Sequence, residues 1–180
     1  MTTQTRRNLF NGWRIAGWGA AAALLLLPLL AMQFTRDVNW TGGDFLFAAV
    51  LIGLLGAMVE FALHFRGGTG RRAGLLIFGL AGFMTVWSNA AVGIIGDEAS
   101  PVNPYFFLSV FAALMVSALF RFKPRPMAIV AAVLAAMQIV LGIAATVMMP
   151  GHGIEWGILG FFALMWSASA FFLNRAARAG

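Results

Sequence analysis

Six long apolar stretches alternate with short joints along the chain, over about 13–34, 45–65, 73–95, 104–122, 126–149 and 153–173. A hydrocarbon core of about 30 Å takes roughly 20 helical residues to cross, so each stretch predicts one membrane-spanning helix. The joints read TRDVNWTGGD, RGGTGRR, GDEASPVNP, RFKPRP and MMPGHG. Glycine and proline stop helices there through backbone freedom and a missing donor. The fifth joint is the least polar, but fusing its neighbours would make a segment far too long for one crossing. Pro150-Gly151 offers the turn. The first stretch follows a basic segment, yet its apolar run exceeds the roughly 7–15 residues of a signal peptide and no small-x-small cleavage site follows. It reads as an uncleaved helix bent at Pro28.

Within the stretches, small and polar residues recur at helical spacing. Ala49, Gly53, Ala57, Glu60 and His64 fall within about 40° of one line on the second helix. Small residues let helices approach closely in lipid, so this stripe predicts a packing face with Glu60 turned into the bundle or into a partner. Similar stripes are Gly79, Gly82, Asn89, Gly93 and Gly96 on the third helix and Ser109, Ala113 and Ser117 on the fourth. The fifth offers Ala131, Ala135, Gln138 and Gly142, the sixth Gly153, Gly160 and Ser167. Counted along the spans, Glu60 lies roughly 7 Å to one side of its helix centre, level with Ser117 and Ser167. Gln138 sits near the middle and Asn89 on the far side. Arg14 or Arg72 could bend inward to meet the carboxylate.

Composition agrees with lipid as the solvent: 61% of the 180 residues are hydrophobic, 10% are charged and the mean hydropathy is +0.88. The charges then orient the spans. Eleven of the twelve Lys and Arg residues, all except Arg36, fall on the side that holds the N-terminus. Short basic loops stay cytoplasmic, so both termini are expected there. The net charge of +6 reflects this bias; no solvated basic face is gathered for nucleic acid. The expected fold is all-α: a single polytopic domain of six transmembrane helices.

Chemistry is sparse. An ionisable group in a span costs about 2.5–3.5 kcal/mol at a helix centre and defaults to a functional hypothesis, which singles out Glu60. With His64 one turn away it could relay a proton; equally, it could pin helix packing. The candidate intramembrane polar site is therefore Glu60, His64, Asn89, Ser117, Gln138 and Ser167. In the outer joint, Asp97, Glu98 and Asn103 present oxygens of the kind hard cations take, although solvated turn residues explain them as well. Asn103-Pro104 also suits a helix start with the Asn as cap. Arg71, Arg72, Arg121, Lys123 and Arg125 are placed to touch anionic lipid headgroups.

The chain has no cysteine and only two histidines, His64 and His152, expected at opposite surfaces. No metal centre, haem or other cofactor is expected. Gly67-Gly68-Thr69-Gly70 lacks the P-loop sequence and setting, and no serine or HExxH protease motif is present. A non-catalytic accessory or scaffold component, packing against lipid or partner membrane subunits, is the expected class. The alternative is a small transporter or proton-coupled channel built on Glu60.

VNWTGGDFLFAAVLIG (38–53), WSNAAVGIIGDEASPVNPYFF (87–107) and RFKPRPMA (121–128) resemble a group of proteobacterial multi-pass inner-membrane proteins with no assigned chemistry. The resemblance covers most of the chain. It implies a location in the bacterial inner membrane and carries over no catalytic or binding residues.

Overall fold

The computed structural model describes residues 12–36, 38–64, 68–97, 99–151 and 153–179. Within them the chain forms six helices and no strand: α1 Gly12–Phe34, α2 Gly42–His64, α3 Thr69–Ala91, α4 Asn103–Leu119, α5 Pro124–Met148 and α6 Trp156–Arg178. Five are long and apolar enough to cross a membrane. The fourth falls short of the expected 104–122. Its 17 residues rise only about 25 Å.

The reason is a tight stop after Leu119. Phe122 N–H donates to the Ser117 carbonyl and Arg121 N–H to the Ala118 carbonyl, each at 2.8 Å. This is the paired bond pattern of a Schellman turn, with Arg121 (φ 55°) and Phe122 (φ 53°) left-handed. The third helix also ends early, at Ala91 instead of 95. Gly93 adopts φ 78° and its N–H returns to the Asn89 carbonyl, so Gly93 and Gly96 belong to a loop and extend no helical stripe. At the other end α3 begins at Thr69, four residues sooner than expected, because the Gly68 carbonyl accepts from the Arg71 and Arg72 amides. The last helix starts later, at Trp156, and runs on to Arg178. Arg175 and Arg178 thereby sit in its last turn, where cations oppose the helix dipole.

The chain divides into two compact units, one ending at Gly56 and the other beginning at Ala57. In the first, the α2 start carries a reciprocal cap. Thr41 N–H and Oγ donate to Asp44 Oδ2 at 2.7 and 2.8 Å, and the Asp44 N–H returns to Thr41 Oγ at 3.3 Å. Gly56 lies against the Trp18 indole so closely that a Cβ would come within 2.7 Å of the ring.

In the second unit, α3, α4, α5 and α6 close a ring: α6 packs on α3 and α5, and α4 on the same two. Leu75, Phe78, Phe106, Leu134, Leu159, Phe162 and Trp166 fill it, with the Phe78 and Trp166 rings edge to face at 5.2 Å. The last turns of α2 join this core through buried Ala62 and through Phe61, whose ring meets Phe122 edge to face at 5.0 Å.

Candidate functional site

The fifth-helix stripe is placed as expected: Ala131, Gln138 and Gly142 are buried and Ala135 is half-buried. Ala113 and Ser117 of α4 are buried too. The second-helix stripe is mixed, with Gly53 and Glu60 half-buried. Ala49 and Ala57 are exposed, and the buried positions are Ala48, Leu51, Ile52 and Ala62. Gly153 precedes α6 and is exposed, as is Ser167 on that helix, whose core face is Leu159, Phe162, Trp166, Ser169 and Leu173. Ser169, two residues from the serine singled out by sequence, is the inward one. Its Oγ donates to the Gly74 carbonyl of α3 at 3.0 Å.

Glu60 is half-buried and engaged in an interaction, while His64 is exposed. Ser117 does not serve the carboxylate, because its Oγ has no hydrogen-bond partner among the described residues. The same holds for both polar atoms of the fully buried Gln138 amide, for Asn89 Oδ1 and for Trp166 Nε1. Glu60, Asn89, Ser117, Gln138 and Ser167 thus do not assemble into one hydrogen-bonded chain.

At one end of the ring, Asn103 organises the loop that closes it. Its Oδ1 accepts from the amides of Ile94 and Ile95 at 3.2 Å, and its Nδ2 donates to the carbonyls of Ile95 (3.3 Å) and Asp97 (2.6 Å). Asn103 is the first residue of α4, preceded by Val102 at the cap position, so it does not cap that helix with its side chain. Its oxygen is taken by two backbone donors, which leaves the candidate outer-joint cation site without that ligand. Asp97 Oδ1 accepts from the Ala99 amide at 3.0 Å, and Glu98 lies outside the described residues. Among the described residues no three His, Cys, Asp or Glu side chains are grouped as for a metal ion.

The loop is also bound to the α5–α6 connection. Gly96 N–H donates to Glu155 Oε2 at 3.4 Å, and Ser100 Oγ to Met149 Sδ at 3.1 Å. Ile94, Ile95 and Val102 are buried beneath it. The end is an apolar plug organised around Asn103.

The opposite end is open and basic. A cavity of about 990 Å³ lies where α3 and α5 begin and α6 ends. Arg71, Lys123, Arg125 and Arg175 line it, with Phe172 and Pro124 among its apolar walls, and no described acidic side chain lines it. Arg71 is half-buried and its guanidinium donates to the Phe122 carbonyl at 3.4 Å; the other three cations are exposed. Sequence counting marked Arg71, Lys123 and Arg125. Arg175 was counted on the same side but not marked with them. Arg72 and Arg121, also marked, are exposed and lie outside the cavity lining.

No protein-family model matches this chain, and neither a curated protein nor a solved structure matches it.

Proposed function

We propose that this is a non-catalytic component of a bacterial inner membrane, with both termini cytoplasmic, which packs through α1 against lipid or partner helices. One observation carries the reading: none of the 23 residues of α1 is buried. A helix apolar all round finds its place only among hydrocarbon or other helices. Leu26, Leu27 and Leu30 are each more than half exposed, as are Trp13 and Phe34 near its ends. Photo-crosslinking residues placed at Leu26 and Leu30 in intact membranes are expected to capture a neighbouring polypeptide. Capture of lipid alone, together with a chain that migrates alone in mild detergent, would refute the accessory role.

Transport past Glu60 has less support. Asn89, another member of the candidate intramembrane polar site, donates to the Asn103 carbonyl at the α3–α4 junction, and the ring end beside it is filled by Ile94 and Ile95. A Glu60→Gln variant that folds normally but abolishes a gradient-driven flux seen for the unsubstituted chain in proteoliposomes would reverse this ranking.

A further inference from the structure

We propose that the basic cavity at the α3/α5/α6 end is a binding site for a phosphoryl anion, taken from a lipid headgroup or from soluble phosphate. The proposal rests on the membrane reading above for its position at the cytoplasmic surface, but not on the accessory role.

Four cations from three separate segments converge on one concavity: Arg71 from α3, Lys123 and Arg125 from the α5 start, and Arg175 from α6. Lys123, Arg125 and Arg175 are exposed like charges on a lining that holds no described acidic side chain; they repel one another, and an anion among them relieves that repulsion. Part of the charge at Arg175 is accounted for by the dipole at the end of α6. That explanation does not extend to Lys123 and Arg125, which stand where α5 begins and its dipole already favours an anion. Arg71 is similarly placed in the first turn of α3, which lines the same cavity. Arg71, Lys123 and Arg125 therefore reinforce two positive helix ends, where helix stability alone would call for acids.

The chemistry of the lining narrows the ligand. Arginine forks match phosphate oxygens in pairs, and lysine adds a mobile point charge. The volume is several times that of a phosphate, and Phe172 with Pro124 and Pro126 gives it apolar walls. A phosphate carried on glycerol, with its chains leaving along the helices, suits that mixture. A soluble phosphate would satisfy the cations alone.

The test uses the full chain, purified in a mild detergent and reconstituted into nanodiscs of phosphatidylcholine containing a minor fraction of phosphatidylglycerol. Native mass spectrometry reads the lipid retained, with and without inorganic phosphate or pyrophosphate as competitor. A basic side chain near an anionic headgroup is worth a factor of about five. Replacing three of them, in Lys123→Gln/Arg125→Gln/Arg175→Gln, is then expected to cut the preference for phosphatidylglycerol by roughly tenfold to a hundredfold. Arg178→Gln, an exposed cation outside the lining, is expected to leave it unchanged. Competition by inorganic phosphate assigns the site to soluble phosphate; retention of lipid despite it assigns the site to headgroups. No preference in the unsubstituted chain, or equal loss with Arg178→Gln, overturns the proposal. A chain that will not enter nanodiscs at all would instead overturn the membrane reading.

Discussion

Asn89 near the end of α3 donates its Nδ2 to the backbone carbonyl of Asn103 at 2.8 Å, joining the last turn of one helix to the first residue of the next. Asn103 then spends its own amide on the loop between them. The two asparagines form one device that holds the α3–α4 loop over the bundle end.

Removing the Asn103 amide leaves the Ile94 and Ile95 N–H groups buried without their acceptor. Each such orphan costs about 1–3 kcal/mol, so Asn103→Ala is expected to destabilise by roughly 2–5 kcal/mol. Gly93→Ala is expected to do comparable damage, since its Cβ would lie 2.6 Å from Asn103 Nδ2 and the Asp97 carbonyl oxygen at φ 78°. Thermal unfolding in detergent checks both. Unfolding temperatures equal to that of the unsubstituted chain would show the plug to be dispensable.

The α3–α6 contact makes a graded series. A Cβ at Gly74 would approach Leu173 Cγ at 2.7 Å and its backbone nitrogen at 3.0 Å, and Leu173 is fully buried. Gly74→Ala must therefore push the helices apart, at a cost of about 1–3 kcal/mol. Ser169→Ala loses one hydrogen bond between helices, worth about 0.6 kcal/mol in a membrane protein. At Gly82 the nearest atoms to a Cβ are 3.6 Å away, so Gly82→Ala is expected to be harmless. Any other order of the three unfolding temperatures would contradict this packing.

The six helices were legible because crossing lipid demands length and hydrophobicity, and both are written along the chain. Which face of each helix looks inward was far less legible. In water an apolar stripe marks the core, but here lipid-facing and core-facing sides are both apolar, so Ser167 and Ser169 look alike in the sequence. Only the position of Leu173 and Gly74 around Ser169 separates them. Gly93 and Gly96 misled for a related reason. Their spacing continued the α3 stripe, whereas their positive φ values end the helix and turn the next residues into a plug. The basic cavity needs three helix ends from distant parts of the chain, so its cations could be counted but not gathered.

Gln138 supplies a prediction of the opposite sign. Its amide is fully buried on α5 and neither polar atom has a hydrogen-bond partner among the described residues. Replacing an unsatisfied polar group by an apolar one of similar shape removes a desolvation cost, so Gln138→Leu is expected to be neutral or to stabilise by about 1–3 kcal/mol. A loss of stability on that substitution would mean that the amide is satisfied by a group the described residues do not supply.

Arg121 holds a left-handed backbone at a helix stop where glycine is the usual occupant. An L-residue there costs roughly 1–2 kcal/mol, so Arg121→Gly is expected to raise the unfolding temperature. Because Arg121 lies outside the basic cavity, the same variant is expected to retain anionic lipid as before. Lower stability would show that the guanidinium contributes more than its backbone costs.

The proposed orientation can be read directly, because the chain has no cysteine of its own. Single cysteines at exposed Ala99 and Gly153 lie beside the asparagine plug, and those at exposed Gly68 and Ala179 beside the basic cavity. A Cβ at Gly153 meets nothing within 4 Å, so that variant is not expected to disturb the fold. With basic joints retained in the cytoplasm, a membrane-impermeant maleimide applied to spheroplasts is expected to label Ala99→Cys and Gly153→Cys. Gly68→Cys and Ala179→Cys are expected to react only after the membrane is permeabilised. The reverse pattern would put the basic cavity on the outer face and remove the cytoplasmic leaflet as the source of its ligand. Labelling of all four from outside would mean that the chain does not cross the membrane in the way its charges dictate.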